Sequence, residues 1–211
     1  MSKNIGIIAV IRWCSTCAVL VVVQLFIAGN IVAQTAPSTP ATTDKPAHKY
    51  FTDVVLVNQN GEQMRLYSDL LKDKVVIINS FFATCQGTCL PMMRNLQKVQ
   101  TAFGDRVGKD VFLISISVDS AVDTPANLNA YAKKLGAGKG WYLLTGDKAN
   151  VDLALQKLGQ YVNVREDHLN IIIIGNERTG LWKKAFGLAN TDDLVKVVES
   201  VLNDPGPTGG R

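Results

Sequence analysis

Cys85 and Cys89 stand four residues apart at the end of an apolar run, Val75 to Phe82, and a helical pattern follows them at once. This reads as strand, tight loop and helix, with both thiols at the loop-to-helix junction. Such a junction offers unpaired backbone N–H groups and the positive end of a helix dipole, which favours thiolate over thiol. Thiolates so placed exchange with disulfides or hold a soft metal ion. Two further groups bear on them. Asp119 follows the apolar run Val111 to Val118, and His168 precedes the run Ile171 to Ile174. In an open parallel sheet, sites form at the carboxyl ends of the strands. Cys85 and Asp119 lie just past two such ends, and His168 reaches the same edge if its strand runs antiparallel.

Each of these residues has a plainer reading. Free cysteines often serve as small core residues. A four-residue spacing at a strand–helix junction, in a domain with no other cysteine, argues against packing alone. His168 also reads as a half-buried residue at a strand start, and Asp119 as the cap of the turn from Ser120 to Thr124. Met92 falls on the core stripe of the helix after the cysteines, and Met92 and Met93 are taken as packing residues. The donor count excludes a four-cysteine zinc site. Two thiolates and one imidazole would take zinc with water as a fourth ligand, or copper(I), which suits soft ligands without a closed tetrahedron.

The elements that must position these groups fit in one domain. The 211 residues, 47% hydrophobic, suffice for an ordinary globular domain with a short appendage. The net charge of +4 falls to +2 without Lys3 and Arg12, too weak a bias to select nucleic acid or an anionic membrane. Residues 1–33 combine Lys3 and Arg12 with an apolar core from Ala18 to Ile27 and small residues before Gln34. This is a signal peptide or an N-terminal membrane anchor, since Trp13 to Ala33 would cross a hydrocarbon core of ~30 Å. Either way the domain is exported. Cys14 and Cys17 fall in this leader and are incidental; beyond it no disulfide framework is available. Residues 34–48, rich in Pro, Thr, Ala and Ser, read as a disordered linker, and His48 at its end is given no role. Residues 49–203 form the globular domain, and 204–211 a flexible tail.

Within the domain, Asp53 to Asn58 and Gln63 to Leu66 flank Asn60-Gly61, a hairpin signature. The run Val75 to Ile78 is continuous, as in a strand buried on both faces. Met92, Leu96, Val99 and Phe103 make one helical stripe that Gly104 closes, and Val111 to Val118 is a second buried strand parallel to the first. Thr124-Pro125 starts the next helix, Trp141 to Leu144 is a short strand, and Asp147 or Asn150 caps another helix ending at Gly159. Ile171 to Ile174 and Leu181 to Phe186 are the last strands, and Thr191 caps the final helix, with Asp192 and Asp193 complementing its dipole. The order predicts an α/β fold of the thioredoxin-like kind: a central mixed sheet flanked by helices, with an N-terminal β-hairpin and a central insertion.

Several stretches resemble the Sco/SenC family, thioredoxin-like proteins implicated in assembling the dinuclear copper centre of cytochrome c oxidase. They are LVNQNG (56–61), FFATCQGTCLP (81–91), SISVDSAVDT (115–124), YAKKL (131–135), Thr145-Gly146-Asp147, and His168 before Ile171 to Ile174. The resemblance implies one copper ion held by Cys85, Cys89 and His168, with Asp119 tied to the site. It implies a copper-accepting oxidase subunit or its assembly factors as partners, with a thioredoxin-like redox partner also possible. The location implied is the periplasmic side of an inner membrane or, alternatively, the mitochondrial inner membrane. The alternative function is a thiol–disulfide oxidoreductase that keeps partner cysteines reduced, Cys85 attacking and Cys89 resolving. The chain departs from the family at Gln86 and Leu90, where proline commonly follows each cysteine, and at Ser120. These changes bear on loop stiffness more than on ligand identity.

Overall fold

The computed structural model describes residues 46–207. The leader and most of the linker expected from the sequence lie outside the described residues. The described chain opens with a short helix, α1 (Pro46–Phe51), where composition pointed to irregular chain. His48 on this helix bonds Asp53 through Nε2 and stacks on Tyr67 with ring centroids 4.9 Å apart. Local side-chain bonding thus orders the last linker residues.

The hairpin forms as β1 (Val55–Asn58) and β2 (Gln63–Arg65) around Gly61, whose φ of 82° suits glycine. The connection Leu66–Leu71 is a single π-type helical turn that buries Leu66, Tyr67, Leu70 and Leu71. Next come β3 (Val75–Phe81), α2 (Cys89–Phe103) and β4 (Val111–Ser117), with β3 and β4 parallel. They are followed by α3 (Pro125–Leu135), β5 (Trp141–Thr145) and α4 (Lys148–Lys157), then β6 (Ile171–Asn176), β7 (Leu181–Phe186) and α5 (Thr191–Leu202). The strands make one seven-stranded sheet in the order β2-β1-β5-β4-β3-β6-β7. β6 runs antiparallel to β3, so its first residue meets the edge at which β3 and β4 end.

Every residue of β3 is buried, and its apolar side chains serve both faces. Val75, Ile77 and Phe81 pack with α2 and α5, while Val76 and Ile78 pack with α4 and the π-type turn. Helix ends follow local chemistry. Thr124 caps α3 by accepting from Asn127 N–H, and Asp147 caps α4 by accepting from Ala149 N–H. The last helix is capped by Asn190, not Thr191: the asparagine oxygen accepts from Asp192 N–H.

A polar chain crosses the α2 face of this core. Trp141 Nε1 donates to Ser115 Oγ (3.0 Å), Ser115 Oγ donates to Asn79 Oδ1 (2.7 Å), and Asn79 Nδ2 reaches Met93 Sδ (3.4 Å). It ties β5, β4 and β3 to the helix that carries Cys89. Replacing Ser115 by alanine strands a buried N–H and a buried amide oxygen, so we expect a stability loss of about 1–3 kcal/mol. Urea unfolding checks this, as a lower midpoint at unchanged slope.

Candidate metal centre

Backbone pairing carries β3 and β4 to a common end, because Val118 N–H still donates to Phe81 C=O beyond the last strand residue. There the chain leaves the sheet as Phe82-Ala83-Thr84-Cys85, turns, and re-enters helix at Cys89. Thr88 precedes the helix without a side-chain cap, and Pro91 lies in the first turn, where its missing N–H costs nothing. On the far side of β3 the segment before β6 closes with a short 3-10 turn, Arg165–Asp167, and delivers His168.

The Sγ atoms of Cys85 and Cys89 and a ring nitrogen of His168 all lie within 4.8 Å of one another. Cys89 is buried, Cys85 is part-exposed, both are free thiols, and His168 is 7% exposed. Cys89 Sγ lies 2.7 Å from His168 Nε2. His168 Nδ1 lies 3.1 Å from the Arg165 carbonyl, an acceptor only, so Nδ1 carries the proton and Nε2 keeps its lone pair toward the sulfurs. The imidazole and the Phe82 ring meet nearly at right angles, with centroids 5.4 Å apart. Carbonyl and ring together fix tautomer and orientation, as outer-sphere partners of ligating histidines do.

The helix dipole does not win at Cys89. Burial, with a lesser push from the neighbouring Cys85 thiol, raises its pKa to about 12, so the expected bias toward thiolate is reversed in the metal-free protein. Burial likewise raises the Tyr131 hydroxyl to about 12, with the two cysteines adding to it.

Asp119 does not join the three donors. Its carboxylate accepts from Arg165 Nη1, and its backbone carbonyl accepts from Val122 and Asp123 N–H, so the turn is held by main chain and not by a side-chain cap. Arg165 also pairs with Glu166 (2.7 Å) and lies over the Phe82 ring, 5.1 Å from its centroid. Asp119 thus contacts Arg165, the residue whose carbonyl meets His168 Nδ1, and not the three donors themselves. Met92 and Met93 are fully buried in the core, as expected of packing residues.

Two residues that no sequence motif marks also lie against these groups. Arg165 sits in a short irregular stretch with no periodicity to place it. Asp123 is 1% exposed, and its Oδ2 accepts from Ala83 N–H (2.9 Å) and Ser117 Oγ–H (2.6 Å). Burial raises its pKa above the usual carboxylate range, and the bonds from Ser117 and Ala83 pull the other way. Cys85, Gln86, Gly87, Arg165 and His168 line an open cleft of about 440 Å³ over the thiols.

The SCO1/SenC family model matches residues 42–202. Among solved structures, a SCO1/SenC family lipoprotein from Bacillus anthracis is 26% identical with a TM-score of 0.60, covering 70% of this chain and 91% of that one. BsSco, described as a Sco-family cytochrome c oxidase assembly protein with a disulfide switch, is 25% identical with a TM-score of 0.58, covering 71% and 91%. Yeast Sco1 with copper bound is 23% identical with a TM-score of 0.60, covering 75% and 95%. The fold is thus the thioredoxin-like one expected from the element order. No curated protein matches the chain.

Proposed function

The chain belongs to the SCO1/SenC family, and on that premise we propose that it is a copper metallochaperone serving assembly of the dinuclear copper centre of cytochrome c oxidase. Copper is its cargo, held by Cys85, Cys89 and His168. One observation carries this reading: a part-exposed thiol, a buried thiol and an imidazole nitrogen meet within 4.8 Å, a soft three-donor set that no further histidine, cysteine or carboxylate joins among the described residues. The structures of yeast Sco1 and of Bradyrhizobium japonicum ScoI hold copper, and BsSco is an oxidase assembly protein, which supports the same direction.

Delivery, rather than permanent storage, is favoured by the surroundings. Cys85 opens into the cleft, and five of the eight large apolar side chains exposed among the described residues lie at this edge of the fold. They are Leu90, Val122, Val164, Leu169 and Phe186, which suits docking of the protein that receives the metal. We place the domain outside the cytoplasm on the strength of the leader. Among the described residues, no helix is long and apolar enough to cross a membrane.

The thiol pair supports a second reading, thiol–disulfide exchange with a partner. Cys85 is the accessible sulfur and Cys89 the buried one, the arrangement of an attacking and a resolving thiol. Anaerobic titration of the reduced protein with Cu(I), in a background lacking Cys14 and Cys17, separates the readings. The chaperone reading expects saturation at one copper per chain, lost in Cys85→Ser and Cys89→Ser variants. Absence of tight copper binding, with a trapped mixed disulfide in Cys89→Ser, would leave the reductase.

A further inference from the structure

We propose that Asp123 is a positioning residue of this copper site, acting as a fixed hydrogen-bond acceptor and not through its charge. The inference rests on the reading of Cys85, Cys89 and His168 as copper ligands. Asp123 lies 38 positions from Cys85 in sequence, yet one of its oxygens holds both walls of the site's root. Oδ2 takes the Ala83 N–H of the thiol loop at 2.9 Å and the Ser117 hydroxyl at the end of β4 at 2.6 Å. Ser117 Oγ in turn accepts from Asp119 N–H (3.0 Å), and Asp119 C=O accepts from Asp123 N–H (2.9 Å), which closes the ring on the turn that carries the carboxylate.

The geometry matters because of what lies on either side of Ala83. The Phe82 ring packs nearly at right angles to His168, and the Phe82 carbonyl accepts from Cys85 N–H at 3.2 Å. Ala83 N–H is the anchor between them. Without its acceptor, Phe82, which meets the imidazole through its ring and the Cys85 N–H through its carbonyl, loses this tie to the sheet. Cys89 is anchored separately by α2, so the separation of the two sulfurs is what a loose Ala83 would blur. Charge points the other way. A Cu(I) ion with two thiolates and a neutral imidazole carries net −1, so a carboxylate nearby repels the loaded site. Selection for charge would not put an acid here; selection for an acceptor at this point would.

Substitutions at one position separate the two roles. Asp123→Asn keeps an oxygen at the Oδ2 position and removes the charge. Asp123→Glu keeps the charge and displaces the oxygen, and Asp123→Ala removes both. In the full chain we expect Asp123→Asn to hold Cu(I), against a chromophoric Cu(I) chelator, within about threefold of the parent. Asp123→Glu and Asp123→Ala should lose about 10–100-fold, the range of outer-sphere losses at metal sites. Amide exchange of Ala83 in the metal-free protein gives a readout independent of copper: fast in the Glu and Ala variants, protected in Asn. If Asp123→Ala does not fold, the Asn–Glu contrast carries the test alone. An Asn variant as weak as Glu would overturn the acceptor role, as would Glu and Ala variants that bind copper and protect Ala83 like the parent. Failure of the parent to bind copper, with the exchange pattern intact, would instead count against the metal reading.

Discussion

Replacing His168 by alanine lowers Cu(I) affinity by more than about 100-fold, beyond the loss caused by removing an outer-sphere group. The expectation follows from the ring's place. Nδ1 is committed to the Arg165 carbonyl and Nε2 faces Cys89 Sγ, so no other described side chain stands ready to replace that nitrogen. The void left under Phe82 would bring in water, a harder and weaker donor for copper(I). Competition with a chromophoric chelator measures the loss, and a thermal melt of the metal-free variant controls for folding. An affinity within about threefold of the parent would remove His168 from the ligand set.

The second large effect is with pH. Burial, and then the neighbouring Cys85 thiol, raise Cys89 to about 12, so at neutral pH the metal-free protein holds that proton. Copper binds the thiolate, and each proton displaced makes apparent affinity rise about tenfold per pH unit. The sign is fixed: the metal-free state binds more protons than the loaded state, so raising the pH favours loading. Between about pH 6 and about pH 8 the apparent Kd should fall at least about 100-fold from Cys89 alone. A chelator competition series over that range measures the slope, and a flat profile would show that Cys89 is already ionised before copper arrives.

Much of this arrangement was legible in the chain because it rests on periodicity. The unbroken Val75 to Ile78 run announced a strand buried on both faces, and the stripe through Met92, Leu96, Val99 and Phe103 announced α2. Once β3, β4 and an antiparallel β6 are granted, His168 must come to the edge where Cys85 sits. What the chain concealed depends on side chains without a period. The ionisation bias at Cys89 was read from the helix terminus, but burial outweighs the dipole there. The choice between Thr191 and Asn190 as cap turned on one residue, within the usual spread of helix ends. Asp119 and Asp123 are both acids of one turn, and no sequence feature tells which carboxylate bonds the thiol loop and which bonds Arg165. The segment 159–170 carries no period, and its place depends on a short 3-10 turn together with tertiary bonds such as that from Arg165 to Asp119.

Copper K-edge X-ray absorption of the anaerobically loaded protein, in the Cys14 and Cys17 double-serine background, tests the central claim most directly. Ligation by Cys85, Cys89 and His168 predicts two sulfur scatterers and one imidazole nitrogen around a single copper. A shell of sulfur alone, or a second copper within it, would contradict the account.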